Sequence, residues 1–208
     1  MNSGTHWERV YRTSAAHDVS WYQAKPVLSL ELIESAGLSL EASIIDVGGG
    51  AASLLDELLD RGYERLALVD VAESAVAAVQ ERLGDRGRGV EWLVADVTQW
   101  DPPHRWDLWH DRAAFHFQVD AAARQGYLHA LEQGVARDGW AMIATFGPDG
   151  PARCSGLPVQ RYSADELAAT LGSRWKLQDT RTELHKTPAG KPQSFVFSLF
   201  SRSGQLDG

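Results

Sequence analysis

The sequence predicts an α/β fold: a mostly parallel sheet with helices on both faces and a C-terminal antiparallel hairpin. Three observations predict it. Short apolar runs alternate with helical patterns from residue 43 onward, the arrangement of βαβ units. The first run breaks into Gly48-Gly49-Gly50 just before a helical stretch. Three successive runs carry an acidic residue at or near their carboxyl ends, namely Asp46, Asp70 and Asp96. At 208 residues the chain suits one domain with a sizeable core. Residues 1–208 are expected to form that domain, with residues 1–38 as an N-terminal helical lid segment.

Each element has its own justification. Trp7 and Tyr11 stand four apart, so a helix places them on one face. Trp21 and Tyr22 open a second segment, with Pro26 near the first turn of a helix that reaches about Ala36. An aromatic lid over a pocket fits this stretch, and so does a helix packed on the sheet edge. Residues 43–47 read as the first strand and 52–59 as the helix behind the glycine turn. Leu54, Leu55, Leu58 and Leu59 give that helix an apolar stripe, and Gly62 a stop. Glycines permit positive φ and let a ligand approach with no Cβ in the way. The free N–H groups that open the next helix suit polar ligand atoms.

The second strand, 66–70, ends in Asp70. A carboxylate there accepts hydrogen bonds from both ribose hydroxyls of a nucleoside, or caps the helix starting near Ala72. A helix over 74–83 leads to a third strand that runs into Asp96 and Val97. The same choice stands at Asp96, between adenine contact and cap.

A fourth apolar run, Trp106, Leu108 and Trp109, meets His110, Asp111, Arg112 and then His116. Ionisable groups crowded at a strand end mark a functional loop. His110 or His116 is a candidate general base there. Asp111 is a candidate to orient a nucleophile or hold a ligand ammonium, and Arg112 to pair with Asp111 or a substrate carboxylate. The plainer alternative is an Asp–Arg pair beside two packed histidines.

A helix over 121–135, a strand over 140–146 and a Pro/Gly-rich stretch over 147–158 follow. That stretch is expected to lack regular structure and is long enough for a lid or binding loop. Its Cys154 reads mainly as a packed thiol. Cys154, Arg161 and His185 are further acceptor-side candidates. Ser163 and Glu166 make a capping box for a helix over 164–171, and strands over 175–183 and 194–200 close the sheet.

Composition narrows the function. The net charge is −8, from 28 acidic against 20 basic residues, which argues against a broad nucleic-acid face. A single cysteine excludes an internal disulfide and a Cys-rich metal site, so no metal is expected. No apolar run approaches the roughly 20 residues of a membrane span, and the N-terminus lacks an apolar signal core. A cytoplasmic location and no membrane partner are therefore expected. Eight tryptophans hint at an aromatic pocket, although core filling explains most of them.

The spacing Asp46-x-Gly48-x-Gly50-x-Ala52, with Asp70 and Asp96 at the next strand ends, resembles the class I S-adenosylmethionine (AdoMet) methyltransferase family over roughly residues 40–200. A dinucleotide G-x-G-x-x-G fingerprint fails at Ser53. The resemblance implies a Rossmann-like seven-stranded sheet with its last strand inserted antiparallel, and AdoMet as cofactor. It implies Asp46, Gly48, Gly49 and Gly50 as the glycine-loop motif, Asp70 with Val71 at the ribose, and Asp96 with Val97 at the adenine. Trp7, Tyr11 and Trp21 are similar to the segment that closes over AdoMet in the branch holding eukaryotic lysine methyltransferases and small bacterial methyltransferases. His110, Asp111 and His116 are the catalytic candidates, with Asp111 also a candidate for the methionine ammonium. His110-Asp111-Arg112 stands where an Asn-Pro-Pro-Tyr motif would mark amide or base methylation.

The expected activity is methyl transfer from AdoMet to a small-molecule acceptor by in-line displacement. Protein lysine N-methylation is the alternative, since an acidic enzyme suits a basic target. A nicotinamide-dependent oxidoreductase and a non-catalytic nucleoside-binding module are the remaining readings. A monomer or homodimer is expected.

Overall fold

The computed structural model describes residues 3–13, 19–50 and 52–204. Ala51 of the glycine turn, and residues 1–2 and 14–18 of the expected lid segment, lie outside them. One seven-stranded sheet has the order β3-β2-β1-β4-β5-β9-β8. Its parallel part comprises β1 (Ile44–Val47), β2 (Leu66–Asp70), β3 (Glu91–Val94), β4 (Trp106–Arg112) and β5 (Val135–Phe146). β9 (Pro192–Arg202) runs antiparallel to β5, and β8 (Trp175–Lys186) antiparallel to β9.

β1 and β2 are buried at every position, which is why both read as unbroken apolar runs. Alternate side chains feed two cores. Ile45, Val47 and Val69 join Tyr127 and Leu131 of α5 (Ala121–Gly134) and Leu167 of α6 (Ala164–Leu171). Ile44, Leu66 and Leu68 join Leu30 of α2 (Val27–Ser35), Leu58 of α3 (Leu54–Asp60) and Val79 of α4 (Glu73–Leu83). The strand order turns back between β1 and β4. In a parallel sheet that reversal leaves a crevice beyond the carboxyl ends of the two strands.

Several boundaries depart from the sequence expectation. β3 ends at Val94, so Asp96 lies beyond the strand. β4 runs on to Arg112, which carries His110 and Asp111 inside the sheet instead of in a loop. β5 leaves α5 directly at Val135, with a register shift opposite Trp106 and Leu108. The final hairpin is longer than expected, turning over residues 187–191. Residues 147–158, expected to be irregular, hold a small hairpin of β6 (Arg153–Cys154) and β7 (Leu157–Pro158). Ser155 and Gly156 both have positive φ, 49° and 79°, so they form a two-residue turn of the twist that hairpins favour. The capping box is present as expected, with Ser163 and Glu166 each bonding the other's backbone N–H. No helix among the described residues is long and apolar enough to cross a membrane.

Candidate active site

A cavity of about 640 Å³ opens at the carboxyl ends of β1, β2 and β4 and is covered by α1 (Ser3–Thr13). This lies within the ~300–1,000 Å³ usual for small-ligand sites. The glycine turn forms its floor. Gly48 and Gly50 have φ of +62° and +53°, where an L side chain is strained. A Cβ on Gly48 would stand 2.5 Å from that of Ala114, and one on Gly49 2.4 Å from Asp46 Oδ2. The turn is therefore bare because the loop after β4 and the Asp46 carboxylate press on it.

Asp70 ties the strand tips together. Its Oδ2 accepts the Gly50 N–H at 2.9 Å and its Oδ1 the Ala72 N–H at 2.8 Å. Ala72, not Asp70, is the N-cap residue of α4. Asp70 also lines the cavity, and a carboxylate oxygen can accept from more than one donor. Burial pushes the Asp70 carboxyl up to about 6 against the pull of these backbone donors. Asp96 also lines the cavity, with Ala95 and Val97. Its Oδ1 accepts the N–H and hydroxyl of Thr98, so it caps the turn Val97–Gln99 while facing the site.

Asp46 is buried at the end of β1. Its Oδ1 accepts Nδ1–H of His110 at 2.7 Å, and His110 Nε2 pairs with Ser29 Oγ of α2 at 2.9 Å. His110 reaches the cavity wall, but both ring nitrogens are engaged in joining β1, β4 and α2. Asp111 and His116 do not reach the wall. Asp111 faces the opposite core, where its carboxylate accepts the Ala114 and Phe115 N–H groups and the Tyr127 hydroxyl, the last at 2.5 Å. That pattern shapes the loop after β4. Burial raises its carboxyl to about 6. His116 is fully buried among Phe117, Phe146 and Phe195 and accepts the Phe146 N–H through Nδ1. Burial, with the Arg112 charge beside it, lowers His116 to about 3, so its ring is neutral.

The N-terminal aromatics gather over the cavity. Trp7 meets Trp21 edge-on at 5.5 Å and Phe117 at 5.0 Å, and Tyr11 lies 6.3 Å from Trp21. The Tyr11 hydroxyl rests on Gly50, where a Cβ would come within 2.0 Å of it. Glu8 Oε2 accepts the Ser74 N–H at the start of α4, at 3.2 Å, which docks α1. That backbone donor holds the Glu8 carboxyl below its ordinary value.

His6 and Phe117 are among the lining residues that escaped the sequence reading. His6 is buried, and its Nε2 has no partner among the described residues. Its position one residue before Trp7 was the only signal. Cys154 and Arg112 also line the cavity. Burial pushes the Cys154 thiol up to about 11, which keeps it protonated. Arg161 bonds the Pro148 and Gly150 carbonyls away from the cavity, and His185 Nε2 donates to the Ser20 carbonyl. Among the described residues there is no cluster of His, Cys, Asp and Glu fit for a metal.

Residues 44–139 match the family model described as "Methyltransferase domain", and that span runs from β1, through the glycine turn, Asp70 and Asp96, into β5. Over that span the chain is similar to methyltransferase domains. The class I family that the sequence resembles takes its methyl group from AdoMet. Three features of the site suit that cofactor: a bare turn on the floor, the buried two-oxygen acceptor of Asp70, and the Ala95–Val97 edge.

Among solved structures, one described as concerning conversion of a disulfide bond into a thioacetal group during echinomycin biosynthesis superposes with a TM-score of 0.76. It is 19% identical and covers 98% of this chain and 94% of its own. The 1,6-didemethyltoxoflavin-N1-methyltransferase of Burkholderia thailandensis, with bound 1,6-didemethyltoxoflavin and S-adenosylhomocysteine, gives a TM-score of 0.67 at 22% identity. That match covers 93% of this chain and 81% of the other. The eEF1A lysine and N-terminal methyltransferase of Mus musculus is 24% identical over 149 residues, 71% of this chain. The chain spans about a fifth of that relative's length, its match covering 20% of it.

Proposed function

We propose that this methyltransferase domain methylates a small molecule. The observation that carries the reading is the aromatic-walled cavity itself. Trp7, Tyr11, Trp21 and Phe117 wall it beside the glycine turn and leave a chamber suited to a compact, partly planar acceptor. The toxoflavin enzyme, which acts on a small heteroaromatic, supports the same reading by its shared fold.

AdoMet supplies a methyl carbon on a sulfonium: the acceptor's lone pair forms the new bond while the carbon–sulfur bond breaks and sulfur keeps the pair. The chain's own contribution is placement and exclusion of water. Asp70 holds the ribose hydroxyls, and its anchoring by Gly50 and Ala72 fixes that contact to the floor. The aromatic cover keeps water from the reacting centre. An acceptor that arrives protonated gives its proton to His6, which lines this site and whose Nε2 has no partner among the described residues. His6→Ala is then expected to lower kcat about 10²-fold, the lower end for a lost general base, with AdoMet affinity unchanged. An unchanged kcat removes His6 from the chemistry.

A second reading, methylation of a protein lysine, is favoured by the similarity to the mouse eEF1A enzyme. One assay separates the two. Purified chain is given methyl-labelled AdoMet and a cell lysate, and the products are divided into protein and small-molecule fractions. Label in the small-molecule fraction is expected, and label confined to protein would overturn the reading in favour of lysine.

A further inference from the structure

Arg112 is the one cation that ends β4 at this cavity, and the mechanism above leaves it without a task. Its side chain is only 10% exposed. Nη1 donates to the Trp21 carbonyl at 2.8 Å, and the guanidinium lies over the Phe195 ring at 4.6 Å. Nε and Nη2 are buried with no hydrogen-bond partner among the described residues. These two nitrogens form one edge of the guanidinium, the edge whose parallel N–H pair matches the two oxygens of a carboxylate. Glu183 does not fill it. That carboxylate stays 3.8 Å from Nη2, and both its oxygens accept from Gln23 Nε2 at 2.9 and 3.0 Å. A buried charge with two idle donors is costly unless a ligand completes it.

We infer that the Nε–Nη2 edge of Arg112 is a carboxylate-binding subsite of this cavity. The inference rests on the AdoMet reading for its setting. Arg112 directly precedes Ala113 and Ala114, and Ala114 packs on Gly48, so the subsite adjoins the glycine turn. Two ligands bring a carboxylate here: the amino-acid tail of the methyl donor, and an acidic acceptor. Either one satisfies the same edge. Burial lowers the Arg112 pKa to about 10, which leaves it charged at neutral pH.

The test compares wild type with Arg112→Gln by calorimetry. S-adenosylhomocysteine is set against 5′-methylthioadenosine, the same nucleoside sulfide without the amino-acid tail. Phenylacetate is set against phenylacetamide on protein with and without S-adenosylhomocysteine. A tenfold or greater loss for S-adenosylhomocysteine alone, with methylthioadenosine unchanged, assigns the subsite to the donor tail. A like loss for phenylacetate, with the amide unchanged, assigns it to the acceptor. Equal behaviour of acid and neutral partner in both comparisons, or no binding of either phenylacetyl probe together with an unmoved homocysteine affinity, overturns the inference. Glu183→Gln keeps the fold's shape while removing the nearby negative charge, and it is expected to strengthen carboxylate binding several-fold. Should Arg112→Gln not fold, an unmoved affinity in Glu183→Gln overturns the proposal in its place. Failure of both nucleosides to bind wild type strikes the AdoMet reading, while the phenylacetate arm still judges Arg112.

Discussion

At the scale of single residues, Asp70 carries the most consequence. Its two oxygens already hold the Gly50 and Ala72 N–H groups, and its carboxyl sits at about 6 because it is buried. Ribose hydroxyls donate to the ionised form, so donor binding at acid pH requires a proton to leave. Affinity for AdoMet is therefore expected to be level above pH 7 and to fall about tenfold per pH unit below 6, the limiting slope for one coupled proton. Calorimetry at pH 5, 6 and 8 checks this, and a flat profile would separate Asp70 from the ribose. Asp70 was legible in the sequence because a strand end and a glycine turn 20 residues apart announce it. His116 was not. Its burial depends on Phe146 and Phe195, brought against it by β5 and β9. Local spacing says nothing of such distant neighbours.

At the scale of elements, β4 divides its labour by alternation. Trp109 and Asp111 turn to the α5 side, where Trp109 Nε1 donates to the Tyr127 oxygen at 2.9 Å and Tyr127 donates to Asp111. His110 turns to Asp46 and Ser29, and Arg112 follows on that same face. The sequence showed a polar cluster after an apolar run but placed it in a loop, and so brought Asp111 and His116 to the acceptor. Period-two alternation over the whole of residues 106–112 would have sent Asp111 away from His110 and Arg112. Tyr127→Phe leaves the Trp109 N–H buried without an acceptor and takes one donor from Asp111. It is expected to cost about 1–3 kcal/mol in urea unfolding with AdoMet affinity intact. A loss of affinity without a loss of stability would instead place this network in the site. α1 is the other element with a task. Gly50→Ala would force the Tyr11 hydroxyl off the turn, and faster amide exchange over residues 3–13 is the expected sign.

At the scale of the whole molecule, opposed titrations shape stability. Asp70 and Asp111 are raised to about 6, so the folded state binds their protons more tightly and their contribution to stability falls as pH rises from about 4 to 6. His116 is lowered to about 3, so its contribution falls as pH drops from about 6.5 toward 3. Across the shared window the two trends oppose each other. Asp111→Asn removes one of the two raised carboxyls, so the variant is expected to lose stability relative to wild type progressively from pH 6 to pH 4.5. Urea midpoints at the two values check the sign, and a constant difference would contradict it. The mostly parallel sheet was within reach through the family resemblance, and the final antiparallel hairpin because its two strands flank a turn. The cover was less so, since Glu8 docks α1 on α4 through the N–H and hydroxyl of Ser74, 66 residues away. The account as a whole stands on the strand tips of one sheet edge binding a nucleoside donor. Calorimetric titration of AdoMet into wild type and Asp70→Ala tests that most directly. Saturable one-to-one binding to wild type, lost in the variant while its unfolding stays cooperative, is the predicted result, and equal affinity in the two proteins would contradict it.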